Sequence, residues 1–125
     1  MNNMKVNIWN REFELDIFYD CFPDEEILPI QKEAVESLIK AKSSIAAAKD
    51  NVEKYCLMNY GDEIEDNRID NIFKYVIPTT IYGVRNENKR VVALLCNFRF
   101  DLDHGLAIVF ENEKCVDIGS QDVVL

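Results

Sequence analysis

The feature that most constrains the fold of this chain is the spacing of its apolar residues, which changes twice along the sequence. Near the start, apolar and polar residues alternate, first at Val6 and Ile8 and then over residues 13–19, with a turn at Asn10 and Arg11 between them. A period of two places every second side chain on the same face of a strand. This segment is therefore predicted to form a β-hairpin.

The spacing then changes to steps of three and four residues. Apolar residues recur at this spacing from Ile27 to Ala41, which puts them on one face of a helix. Pro29 suits a first helical turn, because its missing N–H has no partner there, and it predicts a start near Leu28. Residue Ser43 or Ser44 is predicted to cap a second helix, since a hydroxyl accepts from the free N–H groups of a first turn.

The end of this helical region is predicted from its glycine and proline. Gly61 is expected to end the second helix in a left-handed conformation. The acidic connector, residues 62–67, is predicted to lead into a short third helix with Ile72 and Val76 facing inward. Pro78 is expected to stop that helix, because proline disrupts helical hydrogen bonding.

A period of two returns from Thr79 onward, in runs at residues 79–84, 91–100, 106–110 and 115–118. The run 91–100 has apolar residues on both faces, which is typical of a central strand. Short connections predict antiparallel pairing. The prediction is thus one α+β domain over residues 1–125: an N-terminal β-hairpin, two or three helices, and a C-terminal antiparallel sheet of four strands with the helices on one face.

Charge restricts the classes of partner. The chain has 14 Lys and Arg against 23 Asp and Glu, a net charge of −9. A phosphate backbone is bound by cations, so nucleic acid is not predicted as a partner. Either a basic protein partner is attracted by this charge, or the charge serves solubility alone. Candidate partner-binding residues are the acidic groups of two segments: Asp24, Glu25 and Glu26, and Asp62, Glu63, Glu65 and Asp66.

The expected cellular location and the expected lack of cofactors follow from sequence motifs that are missing. Its four cysteines are widely spaced without a CxxC pair, and it has one histidine, so no metal site and no cofactor are predicted. The opening residues have no secretory signal pattern. No apolar stretch reaches the roughly 20 residues that span a bilayer, so neither a membrane association nor an oxidising compartment is predicted. The expected location is the cytoplasm, and the pattern does not indicate an oligomeric state.

The strongest candidate site is the segment at residues 100–105, FDLDHG. Asp101, Asp103 and His104 have the chemical types that hold a divalent ion or pair an acid with a base, as in a metal-dependent hydrolase. The other interpretation is a reverse turn, in which aspartates cap backbone N–H groups, His104 bonds locally and Gly105 adopts a left-handed conformation. The turn is favoured, and no catalytic residue is predicted.

Residues 97–122 resemble a family of bacterial domains of unknown function. Its members share an aromatic residue, Asp, any residue, an acid and His-Gly, followed by an apolar strand and a second strand that ends in glycine. They are often encoded beside polymorphic or contact-dependent toxins and are regarded as their immunity proteins. Phe100 stands where the family has Trp, and Asp103 where it has Glu. The resemblance implies a non-catalytic inhibitor that occludes a toxin; a metal-dependent hydrolase and a self-associating structural domain are the alternatives.

Overall fold

The computed structural model describes residues 3–125, in which six strands form a single sheet. The strands are β1 (Asn3–Ile8), β2 (Arg11–Tyr19), β3 (Val76–Gly83), β4 (Val91–Phe98), β5 (Leu106–Glu111) and β6 (Lys114–Gly119), and the helices are α1 (Pro29–Lys40) and α2 (Lys42–Tyr60). The α+β class is therefore confirmed. None of the described helices combines the length and the apolar character that crossing a membrane requires.

The sheet is mixed and follows the chain order, β1-β2-β3-β4-β5-β6. Neighbouring strands are antiparallel except β2 and β3, which are parallel. The predicted hairpin and the four predicted C-terminal antiparallel strands are both present, but they are not separate: the β2–β3 pairing joins them. Parallel neighbours need a long crossover, and residues 20–75, which contain both helices, supply it.

The hairpin turn lies one residue earlier than predicted. Trp9 and Asn10 occupy it, with φ angles of 52° and 69°. Two successive left-handed residues match the right-handed twist of the strands they connect. The sequence did not indicate this, because tryptophan rarely adopts a left-handed conformation.

The first helix begins where predicted, at Pro29 after Leu28. The second begins at Lys42, with Ala41 before it, and no side chain caps its first turn, so the predicted serine cap is wrong. Gly61 was also wrongly predicted: its φ of −55° and ψ of −35° are right-handed, and the chain continues into a tighter turn.

The predicted third helix is absent from the described residues. Short 3-10 turns at Gly61–Glu63, Glu65–Asn67 and Ile72–Lys74 replace it. Pro78 lies inside β3, where the pairing register shifts between Pro78 and Thr80. An irregular position in a strand tolerates the missing N–H of proline. The hydroxyl of Thr79 donates to the carbonyl of Leu95 at 3.3 Å there.

Most of the core lies between the two helices and one face of the sheet. Val52 and Cys56 of α2 are fully buried there, as is Leu15 of β2. A smaller apolar cluster occupies the opposite face around Ala93 and Ala107. Since both faces of β4 are buried, the prediction of a central strand is confirmed.

Candidate functional site

The two acidic segments predicted to bind a partner lie at opposite ends of the sheet. β3 ends at Gly83, beside the start of β4, whereas Val76 at the start of β3 pairs with Phe98. A strand of 8 residues at about 3.3 Å per residue separates these ends by roughly 25 Å. Asp24, Glu25 and Glu26 lie near Gly83, and the connector acids lie near Phe98.

The end near Gly83 is here called the paired end, because several of its acids, including Glu25, contact basic groups. Glu25 accepts a hydrogen bond from the Phe22 N–H at 3.1 Å and lies 3.5 Å from the Arg85 guanidinium. Arg85 also donates to the backbone carbonyl of Glu26 at 3.1 Å. Glu25 therefore holds the loop between β2 and α1 in place, while the side chains of Asp24 and Glu26 are exposed.

A second group of ion pairs neutralises the same end. Arg90 donates to both carboxylate oxygens of Glu113, at 2.8 and 3.0 Å, and hydrogen bonding to Glu113 raises the pKa of Arg90. The guanidinium of Arg90 also lies 4.0 Å from Glu33, and Lys89 lies 3.7 Å from Glu111. A two-pronged contact of this kind constrains both side chains.

Gln31 is a residue of the paired end that sequence reasoning missed. It is 1% exposed, and its amide nitrogen donates to the carbonyls of Asp20 at 2.9 Å and Gly83 at 3.0 Å. Its amide oxygen accepts the Leu28 N–H at 2.8 Å. Gln31 thus ties the start of α1 to the ends of β2 and β3. Its place three residues after the helix start was the available signal.

The opposite end of the sheet is here called the acidic end, and it begins with the connector. Ile64 is buried, at 4% exposure, and anchors this segment in the core. Asp66 adopts a left-handed conformation, with φ of 59°. The four acidic side chains on either side of Ile64 are exposed, and within residues 3–125 none of them forms an ion pair: Asp62, Glu63, Glu65 and Asp66.

An aromatic stack joins the connector to the turn after β4. The ring of Phe100 stacks on Tyr60 at a centroid distance of 4.9 Å and on Tyr75 at 5.2 Å. The N–H of Arg99 donates to the carbonyl of Tyr75 at 2.8 Å. Parallel rings at these distances fix the two segments against each other. The acids of the connector and those of residues 101–103 therefore occupy the same end of the molecule.

The turn itself is organised around one carboxylate. Asp101 accepts from the backbone N–H of His104 at 3.1 Å, and its oxygens lie 3.0 and 3.2 Å from the ring Nδ1. This hydrogen bond lowers the pKa of Asp101 and raises that of His104. Gly105 has φ of 63°, and a Cβ there would lie 2.8 Å from the carbonyl of Cys96. Only glycine fits this position without strain.

The structure does not bring Asp103 into this contact. Its side chain is exposed and, within residues 3–125, accepts no hydrogen bond, and Leu102 beside it is 82% exposed. Across the same residues, no group of three or more His, Cys, Asp or Glu side chains has an arrangement suited to a metal ion. The arrangement of Asp101, His104 and Gly105 is that of a capped reverse turn.

The cysteines do not form a reactive site. All four thiols are free, and Cys56 and Cys96 are buried. Burial raises the pKa of Cys56 to about 11 and raises that of Cys96 as well. A protonated, buried thiol is a poor nucleophile.

The chain was also compared with known proteins. No curated protein and no solved structure matches it significantly. One family model, described as a domain of unknown function, DUF6985, matches residues 1–125. Because this match extends over the whole sequence, the chain belongs to the DUF6985 family of domains of unknown function.

Proposed function

We propose that this protein is a non-catalytic binding protein whose acidic end docks onto a basic protein domain. In the finer form of the proposal it is an immunity protein, which neutralises a bacterial toxin by covering the toxin's active site. The observation that carries the proposal is the set of four exposed, unpaired connector acids, held beside a stack of aromatic rings. The resemblance at residues 97–122 supports the finer form.

The charges at the acidic end suit recognition of a cationic surface. A nuclease toxin must bind phosphates with basic side chains, and carboxylates placed at the same positions compete for those side chains. Complementary charge also accelerates encounter between the partners. Because the connector acids make no ion pairs within the described residues, docking does not require them to give up an internal partner.

Apolar groups at the same end suit the centre of an interface. Tyr60, Tyr75 and Phe100 are half-buried, and Leu102 is 82% exposed on the adjoining turn. Aromatic residues and buried apolar anchors contribute most of the binding energy in protein complexes, with charged residues around them. The stack also fixes the backbone before binding, which lowers the entropic cost of association.

The test uses the basic protein domain encoded beside this gene as the partner, with binding measured by isothermal titration calorimetry. We expect a one-to-one complex whose affinity falls when the salt concentration is raised from about 50 mM to about 500 mM. The variant D62N/E63Q/E65Q/D66N is expected to bind about 100-fold more weakly, as for the loss of several interfacial charges.

The matched control is D24N/E26Q/E36Q/E87Q, which removes the same number of charges at exposed positions outside the acidic end. We expect this control to change the affinity by less than about threefold, since long-range charge is screened. Equal weakening by both variants would show that net charge alone drives association. Absence of any complex would contradict the proposal itself.

A further inference from the structure

A cleft of about 630 Å³ lies between the edge strand β1 and the first half of α2. This volume falls within the range of about 300–1,000 Å³ that small-molecule sites occupy. The cleft is distinct from both acidic segments and plays no part in the proposed docking. Its lining comes from β1, the hairpin turn, the end of α1 and the first two turns of α2.

The lining includes an apolar surface with a fixed aromatic ring. Val6 and Ile45 are buried, while Ile39 and Trp9 are half-buried. The indole N–H of Trp9 donates to the carbonyl of Ile45 at 2.9 Å, and its ring stacks on Phe73 at 6.0 Å. These two contacts hold the indole in one orientation, so the apolar surface is present before any ligand arrives.

Basic residues also line the cleft. Lys42 and Lys49 lie seven residues apart, two helical turns, and thus on the same face of α2. Lys5 lines the cleft from β1, where Glu14 lies opposite it across the hairpin. Of the residues that line the cleft in the described structure, none is acidic, and none of these three lysines forms an ion pair within residues 3–125.

A group of three lysines with no acidic residue in the lining contrasts with the net charge of this protein, which is −9. Elsewhere, the cationic groups of Arg68, Arg85, Lys89 and Arg90 contact carboxylates. The cleft therefore combines an apolar surface with a local excess of positive charge.

We propose that this cleft binds a small amphiphilic anion, with the apolar body against Trp9, Ile39 and Ile45 and the anionic group beside Lys42 and Lys49. An aromatic sulfonate or a medium-chain carboxylate has this chemistry. The concavity favours a small molecule over an acidic peptide added to the edge of β1, which is the other occupant that the lysines would suit.

The test uses 8-anilinonaphthalene-1-sulfonate as the probe, with the whole protein. Trp9 is the only tryptophan of the chain, so energy transfer from tryptophan to the probe reports binding to the protein, and the lysine variants assign that binding to the cleft. We expect one-to-one binding with quenching of Trp9 emission. Dodecanoate should displace the probe, whereas dodecanol at the same concentration should not, because it lacks the charge.

Variant K42Q/K49Q is expected to weaken probe binding by about tenfold, as for the loss of two charge contacts. The matched control K54Q/K74Q removes two exposed lysines from outside the cleft and should leave binding unchanged. Circular dichroism of each variant checks the fold. The proposal would be overturned by an absence of quenching, by probe binding without energy transfer from Trp9, or by equal weakening in both variants. Tighter competition by an acidic apolar peptide than by dodecanoate would also overturn it.

Discussion

The two ends of the sheet differ in whether their acidic residues form ion pairs. At the paired end, Glu25, Glu111 and Glu113 contact Arg85, Lys89 and Arg90. At the acidic end, the connector acids stand exposed around the buried Ile64 and within residues 3–125 make no ion pair.

This difference shows that composition alone does not locate a binding surface. Both segments are acidic in sequence, with three and four carboxylates, and both were predicted as partner contacts. A carboxylate that already contacts an arginine must lose that contact to bind something else, so its net contribution to an interface is small. The connector acids are free of this cost, and the comparison can be tested by substituting residues at each end in turn.

The largest effect on stability is expected at the paired end, from Gln31→Leu. The change leaves the Asp20 carbonyl and the Leu28 N–H without partners and removes one of the two hydrogen bonds to the Gly83 carbonyl. Each unpaired group costs about 1–3 kcal/mol, so the free energy of unfolding should fall by about 3 kcal/mol. Urea denaturation measures this change in the free energy of unfolding. Lys32→Leu, at an exposed neighbouring position, is the control. Equal midpoints for Gln31→Leu and wild type would show that the amide does not hold this end together.

At the acidic end, the turn depends on Gly105, and Gly105→Ala should lower the free energy of unfolding by about 2 kcal/mol. The alanine would be strained at φ of 63°, and its methyl group would meet the side chain of Gln121 and the carbonyl of Cys96. Gly61→Ala is the control, because Gly61 is right-handed and its nearest neighbour would lie 3.4 Å from the new methyl. Similar denaturation midpoints for the two variants would contradict the account of the turn.

The pH dependence of the turn is smaller and has a definite sign. The pKa of His104 is raised above 6.5, mainly by its hydrogen bond to Asp101, so its contribution to stability is full below that value and is lost as the pH rises through the folded pKa. The pKa of Asp101 is lowered from 3.8, mainly by the same bond, so its contribution is lost only as the pH falls through the folded value.

We therefore expect the free energy of unfolding to decrease as the pH rises above 6.5 through the folded pKa of His104 in the wild type, and less so in His104→Asn. An NMR titration of the single histidine should give a midpoint above 6.5. A midpoint at or below that value would show that the ring does not contact Asp101 in solution.

The smallest expected effect concerns two ion pairs, one from each end. Arg68→Gln should change the free energy of unfolding by less than about 0.5 kcal/mol, because the Arg68 and Asp70 side chains are 74% and 67% exposed. Arg90→Gln should lower the denaturation midpoint further, since Arg90 and Glu113 are less exposed and share two hydrogen bonds. The opposite ranking would remove the distinction between the two ends.

Much of the fold could be predicted because local patterns and tertiary packing agree over most of the chain. The alternation in β1 and β2, the start of α1 and the two apolar faces of β4 all reflect which side chains are buried. The parallel pairing of β2 with β3 could not be predicted in this way. This pairing joins two strands that are separated by residues 20–75, and no local sequence pattern specifies which strand pairs with the free edge of β2.

The errors share a physical cause, which is that propensity was overridden by packing. Pro78 was expected to end a helix, but burial of Val76 and the irregular register at Pro78 place it in a strand. The reverse turn at Asp101, His104 and Gly105 could be predicted from the sequence, because its residues are adjacent in the chain. The separation of the two acidic segments and the role of Gln31 depend on strand order, which the sequence does not display.

Hydrogen exchange of the protein with and without the proposed basic partner domain tests the central claim most directly, since it reports which end the partner covers. We expect the amides of residues 61–67 and 101–105 to exchange at least about tenfold more slowly in the complex, while those of residues 22–27 and 84–90 are unchanged. Slower exchange confined to residues 22–27 and 84–90 would contradict the assignment of docking to the acidic end.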